Sequence, residues 1–305
     1  MDRSDITLER IRTFVRVAER GSLSAVAREL GVGQSTISRQ LRELEEALGL
    51  PLLSRTTRHV AMTAEGERYR ADAMQILRLV EQATDEARRD RAAASGTVRI
   101  SCTASFGVLH ASRLIFAFQD RHPEIEIDLS LRDERIDLVR EGVDIALRLG
   151  PLSDSSARLR RLGRSERILV AAPAYLADRG CPTSPEELEG HEGIRMSNVL
   201  GSETISLEGR DGRRALVPFA GRLRVDHGLA VREAVLAGRG IAPTHRWLVD
   251  DLMSDSSLVR ILPEFGLAPV PLSLLIAPAR TDIARVRLLV EFLAERIVEV
   301  PGIVR

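Results

Sequence analysis

The chain has 305 residues, 44% hydrophobic and 29% charged, so at about 150 residues per domain it holds two domains, each able to bury a core. Its 44 basic residues balance 44 acidic ones, which excludes an all-over cationic coat and confines any nucleic-acid contact to a local patch. Every basic residue is arginine, so side-chain Schiff-base catalysis, a pyridoxal anchor and a phosphate-loop lysine are all excluded.

In chain order, residues 1 to about 92 read as nearly continuous helix, and from Thr97 onward strands alternate with helices. The small-residue stretch Arg91-Ala92-Ala93-Ala94-Ser95-Gly96 divides the two parts. Thr7 is the N-cap of a first helix with Leu8, Ile11, Phe14, Val15 and Ala18 at helical spacing, and Gly21 stops it. Ser22 caps a second, short helix that turns Leu23, Val26, Ala27 and Leu30 inward. After the tight turn Gly31-Val32-Gly33, a third helix runs from about Gln34 to Leu48 and ends at Gly49 and Pro51. Two short helices about a glycine turn have the proportions of a helix-turn-helix.

The third helix separates into faces. Ile37, Leu41, Leu44 and Leu48 form one apolar stripe, while Ser35, Ser38, Arg39 and Arg42 lie opposite with Gln34 at the tip. Arginine suits guanine, glutamine suits adenine and serine suits either. Glu43, Glu45 and Glu46 crowd the other end, where they would repel phosphate, so the N-terminal half is the end expected in the major groove. From Gly49 to Ala64 there is no acidic residue, and Arg55, Arg58 and His59 cluster between two short strands. Such a wing would lie along the DNA backbone or minor groove; the alternative is a solvated basic hairpin.

The segments Phe14-Val15-Arg16-Val17-Ala18-Glu19, Gly21-Ser22-Leu23-Ser24, Ala27-Arg28-Glu29-Leu30, Gln34-Ser35-Thr36-Ile37-Ser38-Arg39-Gln40-Leu41, Leu44-Glu45-Glu46-Ala47-Leu48-Gly49 and Arg55-Thr56-Thr57-Arg58 stand in a specific order and spacing. In these the chain resembles the LysR-type transcriptional regulators across the whole DNA-binding region without a gap. It departs at Gly33, where members often carry a serine cap, and at Ser35, where proline is frequent. The resemblance implies that Gln34, Ser35, Ser38 and Arg39 read bases and that the wing arginines Arg55 and Arg58 grip the backbone, with Arg42 on the same face.

A long helix follows from Thr63 to about Arg91. Tyr69, Ala73, Ile76, Val80, Ala83 and Ala87 repeat as a heptad seam, which favours a partner chain over packing on its own domain. The family's linker helix has this role and pairs the reading heads.

Beyond it, Val98 to Ser101, Ile125 to Leu131 and Asp144 to Leu149 read as strands, with helices from about Phe106 to Asp120 and Arg135 to Glu141 between them. That alternation implies a parallel, doubly wound sheet, and a second such unit is expected from Arg167, with a helix from Leu229 to Ala237 and a strand from Gly240 to Thr244. Leu272 to Ala277 and a helix from Asp282 to Glu299 close the chain. Asp137 to Gly150, His122-Pro123-Glu124-Ile125, Pro173-Ala174-Tyr175-Leu176 and Leu236 to Ala242 are again similar to the family, in its effector-binding region. The implied architecture is an all-α N-terminal winged helix-turn-helix with a long linker helix, then an α/β two-subdomain effector-binding region like a periplasmic binding protein. The expected boundaries are 1–63 for the head, 64–94 for the linker helix and hinge, and 95–305 for the effector-binding domain. Within the last, subdomain I covers 95–166 and 267–305, and subdomain II covers 167–266.

Ligands of open α/β sheets bind beyond the C-terminal strand ends. That crevice should gather Ser101, Thr103, Ser105, Asp133 and Arg148 from one side, and Ser197, Asn198, His227, Thr244 and His245 from the other. Hydroxyls and free N–H groups at a helix start favour an anion. His245 departs from the family, where proline is common.

Other signals are weak. Gly238-Arg239-Gly240-Ile241-Ala242 follows a helix instead of a strand and reads as a helix end. Cys102 and Cys181 form no CxxC pair, the six histidines show no metal spacing, and no nucleophile triad appears. No cofactor, no catalysis and no membrane contact are expected, because no apolar run approaches about 18 residues and the N-terminus lacks a signal's apolar core. The resemblance implies a cytoplasmic regulator that binds double-stranded promoter DNA and a small-molecule effector, assembles as a homodimer or homotetramer, and acts on RNA polymerase. The rival is a ligand-binding or enzymatic α/β protein with an incidental helical N-terminus.

Overall fold

The computed structural model describes residues 6–55, 60–87, 95–151, 157–199 and 201–305. They fall into two units, residues 1–93 with 136–142 and residues 94–135 with 143–305.

In the first unit, the Thr7 hydroxyl accepts the Arg10 N–H and starts α1 (Leu8–Arg20), which Gly21 ends in the left-handed conformation at φ 61°. Ser22 accepts the Ala25 N–H at the start of α2 (Leu23–Leu30). Gly33 supplies no side-chain cap to α3 (Gln34–Leu48). The apolar stripes of the three helices meet in one core of Phe14, Val17, Val26, Ile37, Leu41 and Leu44, all fully or almost fully buried. β1 (Leu53–Arg55) pairs antiparallel with β2 (Val60–Met62) and forms the stem of the wing. Its tip, with Arg58 and His59, lies outside the described residues.

α4 (Ala64–Ala87) follows, its first turn held where the Thr63 hydroxyl accepts the Gly66 N–H at 2.9 Å. The expected seam divides here. Tyr69 packs its ring 5.7 Å from Phe14 and Ala73 is fully buried in the head's own core, so both serve the chain itself. Ile76 and Leu79 stay exposed at 40% and 55%, with Val80 half-buried and Ala83 exposed. On another side of α4, buried Arg78 donates to the carbonyls of Val139 and Arg140 at the end of the short helix Leu138–Glu141. That contact places the short helix with the helical unit.

The second unit is built on β3 (Gly96–Cys102), whose continuation is helical but not one helix. α5 (Ala104–Phe106) passes through a single π turn, Gly107–Ala111, into α6 (Ser112–Arg121). β4 (Ile125–Leu131) lies parallel to β3. The helix expected from Arg135 is only α7 (Leu138–Glu141), because the Asp137 carboxylate accepts the N–H groups of Val139 and Arg140 and fixes the start there. β5 (Ile145–Leu149) completes a parallel β5-β3-β4 group.

The remaining elements are β6 (Arg158–Ala171), α8 (Pro173–Arg179), β7 (Ile194–Met196), β8 (Thr204–Gly209), β9 (Arg214–Pro218), β10 (Leu223–Val225), α9 (Gly228–Leu236), β11 (Ala242–His245), α10 (Arg246–Ser254), β12 (Val259–Ile261), β13 (Phe265–Ile276), α11 (Ala284–Arg296) and β14 (Ile303–Val304). The expected second parallel unit forms in part: β7 pairs parallel with β10, and Gly193 bridges parallel to Ile241 beside β11, but the strands that join this group to the first half run antiparallel. β13 runs antiparallel to both β5 and β6, and β11, β12 and β14 run antiparallel to β6. The reason is topological: β6 carries the chain out of the first half of the sheet and β13 brings it back, so adjacent crossings run in opposite directions. The expected crossing points, near 166 and 267, fall inside these two strands. One core joins Ile100, Phe106, Ile115, Leu274 and Leu293; a second gathers Leu169, Tyr175, Leu188, Leu207 and Phe219. Beneath β3, Asp144 is buried against Arg280 at 2.9 Å and accepts the Arg99 N–H. Burial pushes its carboxyl above the usual range against the pull of that arginine.

Candidate DNA-reading face and effector site

The buried stripe of α3 leaves its other face free. Gln34, Ser35, Arg39 and Arg42 are exposed and Ser38 is half-buried. Their internal partners are weak: the Ser24 hydroxyl donates to Gln34 Oε1 at 3.1 Å, Arg39 lies 3.9 Å from Glu43, and Arg42 lies 3.6 Å from Glu46. Exposed pairs at such spacing contribute about 0.3–0.5 kcal/mol and are easily exchanged for phosphate or a base edge. The acidic end of α3 is not simply a repelling patch. Glu43 binds Arg10 at 2.7 Å, and Glu45 Oε1 accepts the N–H groups of Leu52 and Leu53 at 2.8 and 3.0 Å. Glu45 therefore ties α3 to the wing. Its position one turn before Gly49, facing the unpaired N–H groups of an incoming strand, is the signal that a face-by-face reading of α3 passes over. Of the wing arginines, Arg58 lies outside the described residues, and Arg55 is placed only by its backbone in β1.

In the second unit, the expected crevice residues meet around the turn from β3 to α5. Ser101 is fully buried, and its hydroxyl accepts from Arg148 Nη2 at 2.7 Å. Arg148 Nη1 donates to the Arg132 carbonyl at 3.0 Å. Thr103 precedes α5 but makes no side-chain capping bond. The cap is Asp133, whose Oδ1 accepts the Ala104 N–H at 2.9 Å and whose Oδ2 lies 4.0 Å from His227 Nε2. The helix start expected to greet an anion thus already holds a carboxylate of the chain. Ser105 is buried against Gly228, where a Cβ would come within 2.6 Å of its hydroxyl oxygen, so the close approach of α9 requires glycine.

His227 caps α9: its Nδ1 accepts the Leu229 N–H, which leaves the proton on Nε2, toward Asp133. Asn198 and Ser197 are exposed; Asn198 donates to the Asp226 carbonyl beside His227, and the Ser197 N–H donates to Val225. Thr244 is buried on β11. His245, next to it, bonds Ser165 at 2.7 Å and stacks on Trp247, which in turn meets Phe106 edge-on at 5.0 Å. Sequence inspection missed Ser165, Trp247 and the bond from His110 Nε2 to the Trp247 carbonyl, since nothing local marks them. Burial pushes the Cys102 thiol up to about 12, so it stays protonated and unreactive. Among the described residues, no cluster of His, Cys, Asp or Glu could hold a metal, and no helix is long and apolar enough to cross a membrane.

Residues 8–67 match the family model described as bacterial regulatory helix-turn-helix protein, lysR family, and residues 91–297 match the LysR substrate binding domain. The chain is 32% identical over 293 residues to the HTH-type transcriptional regulator DmlR of Escherichia coli, covering 96% of this chain and 95% of that one. It is 34% identical over 257 residues to CrgA of Neisseria meningitidis, covering 84% and 85%. Among solved structures, full-length AphB, the Vibrio cholerae virulence activator, superposes with a TM-score of 0.64 at 28% identity over 95% of this chain and 99% of that one. The CrgA structure gives 0.62 at 30% identity over 95% and 98%. These relatives are regulators, not enzymes, so the incidental-helix rival falls away. With a free polar face on α3, a sheet crossed twice by the chain, and both family domains matched along its length, this chain belongs to the LysR-type transcriptional regulators: it binds DNA through its helix-turn-helix, responds to a small-molecule effector and forms oligomers.

Proposed function

We propose that the chain works in the cytoplasm as a homodimer or homotetramer whose paired heads bind an interrupted palindrome in promoter DNA, under the control of a small anionic effector and with RNA polymerase as the downstream partner. Residues 1–63 are the head, 64–94 the linker helix and hinge, and 95–305 the effector-binding domain, with subdomain I at 95–166 and 267–305 and subdomain II at 167–266. Gln34, Ser35, Ser38, Arg39 and Arg42 contact bases and phosphates, and Arg55 and Arg58 grip the backbone. The observation that carries this reading is the sidedness of α3, buried along Ile37, Leu41 and Leu44 and open along its polar face. For the effector, support comes from the meeting of Ser101, Thr103, Ser105, Asp133, Arg148 and His227 at one turn, with Ser197, Asn198, Thr244 and His245 on neighbouring elements. Pairing through α4 is supported by the exposed run Ile76, Leu79 and Ala83.

An electrophoretic shift against the divergent promoter beside its own gene tests the reading. Wild type prefers that promoter over random DNA, and Arg58→Ala weakens every sequence alike while lowering the salt slope by about one unit. Equal affinity for promoter and random DNA would sink it. Ile76→Glu puts an unpaired charge on the open part of α4, and sedimentation that still reports the wild-type assembly would move dimerisation elsewhere.

A further inference from the structure

Arg167, which is not among the expected site residues, pairs with His245, which is. β11 runs antiparallel to β6 and sets His245 directly opposite Arg167. Residues opposite each other in an antiparallel pair project to the same face, and Ser165, two residues earlier on β6, shares that face. Ser165 then orders the histidine. Trp247 Nε1–H can only donate, and it donates to Ser165 Oγ at 2.9 Å. That leaves the hydroxyl hydrogen available to donate to His245 Nδ1, 2.7 Å away, and a bond in this direction puts the ring proton on Nε2. Stacking on Trp247, with ring centroids 5.3 Å apart and planes 16° from parallel, fixes the ring's direction. Burial, reinforced by Arg167, pushes the imidazole down to about 3, so this is a neutral donor at physiological pH.

Arg167 is the anomaly. Its guanidinium is withdrawn from water far enough for burial to push its ionisation downward, and no acid opposes that shift. Among the described residues it has no ion pair and no side-chain hydrogen bond, and His245 Nε2 has none either. The nearest acid in sequence, Glu166, alternates to the other face of β6 and is engaged by Arg246 and Arg260. Neither Arg167 nor His245 is sealed: both are half-buried, and their polar atoms are not among those shut off from solvent. A cation and an oriented N–H donor, recessed yet reachable and without an acid, describe a site for an anion.

We propose that Arg167 and the Nε2–H of His245 anchor the carboxylate of a small organic acid. The inference rests on the reading that this domain takes a small-molecule effector, and it names the group that is recognised. It also moves the anion away from the start of α5, where the Asp133 carboxylate already accepts the free N–H and would repel a second negative charge.

The test is an acetate titration of the full-length protein carrying isotopically labelled histidine, with sodium chloride at matched ionic strength as the reference. His245→Asn assigns the signal. In wild type the His245 Nε2 resonance shifts saturably with acetate; Arg167→Gln weakens that response about tenfold or more, and Arg167→Lys retains part of it. The nitrogen shifts of unliganded wild type must also report the Nε2–H tautomer, a measurement that needs no variant. An Nδ1–H tautomer, a response of equal midpoint in Arg167→Gln, or no wild-type response up to about 100 mM acetate would overturn the proposal. Operator affinity in the same samples judges the regulator reading separately: acetate bound at Arg167 with unchanged DNA binding leaves the anion site standing and counts against its role as the effector site.

Discussion

The polar face of α3 and the turn after β3 use the same residue types, serine, arginine and a carboxylate, under opposite constraints. On α3, Gln34, Ser35, Ser38 and Arg39 lie within six consecutive positions, largely exposed, with bonds to their own chain that are long or weak. Around the turn, Ser101, Asp133, Arg148 and His227 come from distant parts of the sequence and are spent on one another or on backbone. The first region is a display and the second a network. Removing a side chain from a display should cost binding and leave folding intact, because water replaces what is lost. In a network the same removal strands a buried partner and costs stability.

The largest effect should come from the most deeply buried part of the second unit. Asp144→Ala leaves Arg280 as an uncompensated buried cation, and about 3–5 kcal/mol of stability should go with it. Denaturant unfolding followed on the effector-binding domain reads this loss, and a wild-type midpoint would show that water reaches Arg280.

Next comes a matched pair that confronts the two regions. Ser101→Ala takes the acceptor from Arg148 Nη2 and should cost about 1–3 kcal/mol of stability. Arg39→Ala should instead cost about 1–3 kcal/mol of operator binding and relax base preference. Its effect on stability should stay within about 0.5 kcal/mol. If Arg39→Ala destabilises the head while operator affinity per folded molecule is unchanged, the display description of α3 is wrong.

His245 sharpens the comparison through pH. Its imidazole sits at about 3 in the folded protein, while the unfolded chain binds a proton near the ordinary value of about 6.5. The unfolded state therefore holds more protons between those limits. The contribution of His245 is complete above the unfolded value and declines as pH falls toward the folded one, at up to about 1.4 kcal/mol per pH unit. Unfolding between about pH 5 and 6.5, above the carboxylate range, should show this slope in wild type and a flatter one in His245→Gln. Equal slopes would mean that the ring takes up its proton without leaving its place.

The smallest difference is the most local. Asp133→Ala removes a helix-start acceptor and should cost about 0.5–2 kcal/mol. Thr103→Ala, at the position next to the helix but without a capping bond, should fall within about 0.5 kcal/mol. A larger loss at Thr103 than at Asp133 in a thermal melt would return the cap to the threonine.

Much of the head was legible because its signals are local. Thr7 and Ser22 announce helix starts, Gly21, Gly31 and Gly49 announce ends, and the stripe Ile37, Leu41, Leu44 orients α3 without reference to anything else. The same logic misjudged the glutamates of α3, since Glu45 faces N–H groups that only exist once the chain has turned back through Pro51. It also over-assigned the heptad seam. Spacing cannot tell which apolar positions a folded neighbour has already claimed, and Phe14 with the rest of the head claims Tyr69 and Ala73.

In the second unit the sequence by itself determined that strands and helices alternate and that β5, β3 and β4 run parallel, because crossover connections of about a dozen residues or more separate them. It also determined the residue types available to a ligand. The tertiary structure alone decided that the rest of the sheet is antiparallel, since β6 leaves and β13 returns, and that decision set Arg167 opposite His245. It alone decided that Asp133, not Thr103, caps α5, because strand order brings residues far apart in sequence to one helix start. Caps, turns and amphipathic faces depend on neighbours a few residues away, whereas partnerships between buried polar groups depend on which strands the whole fold makes adjacent.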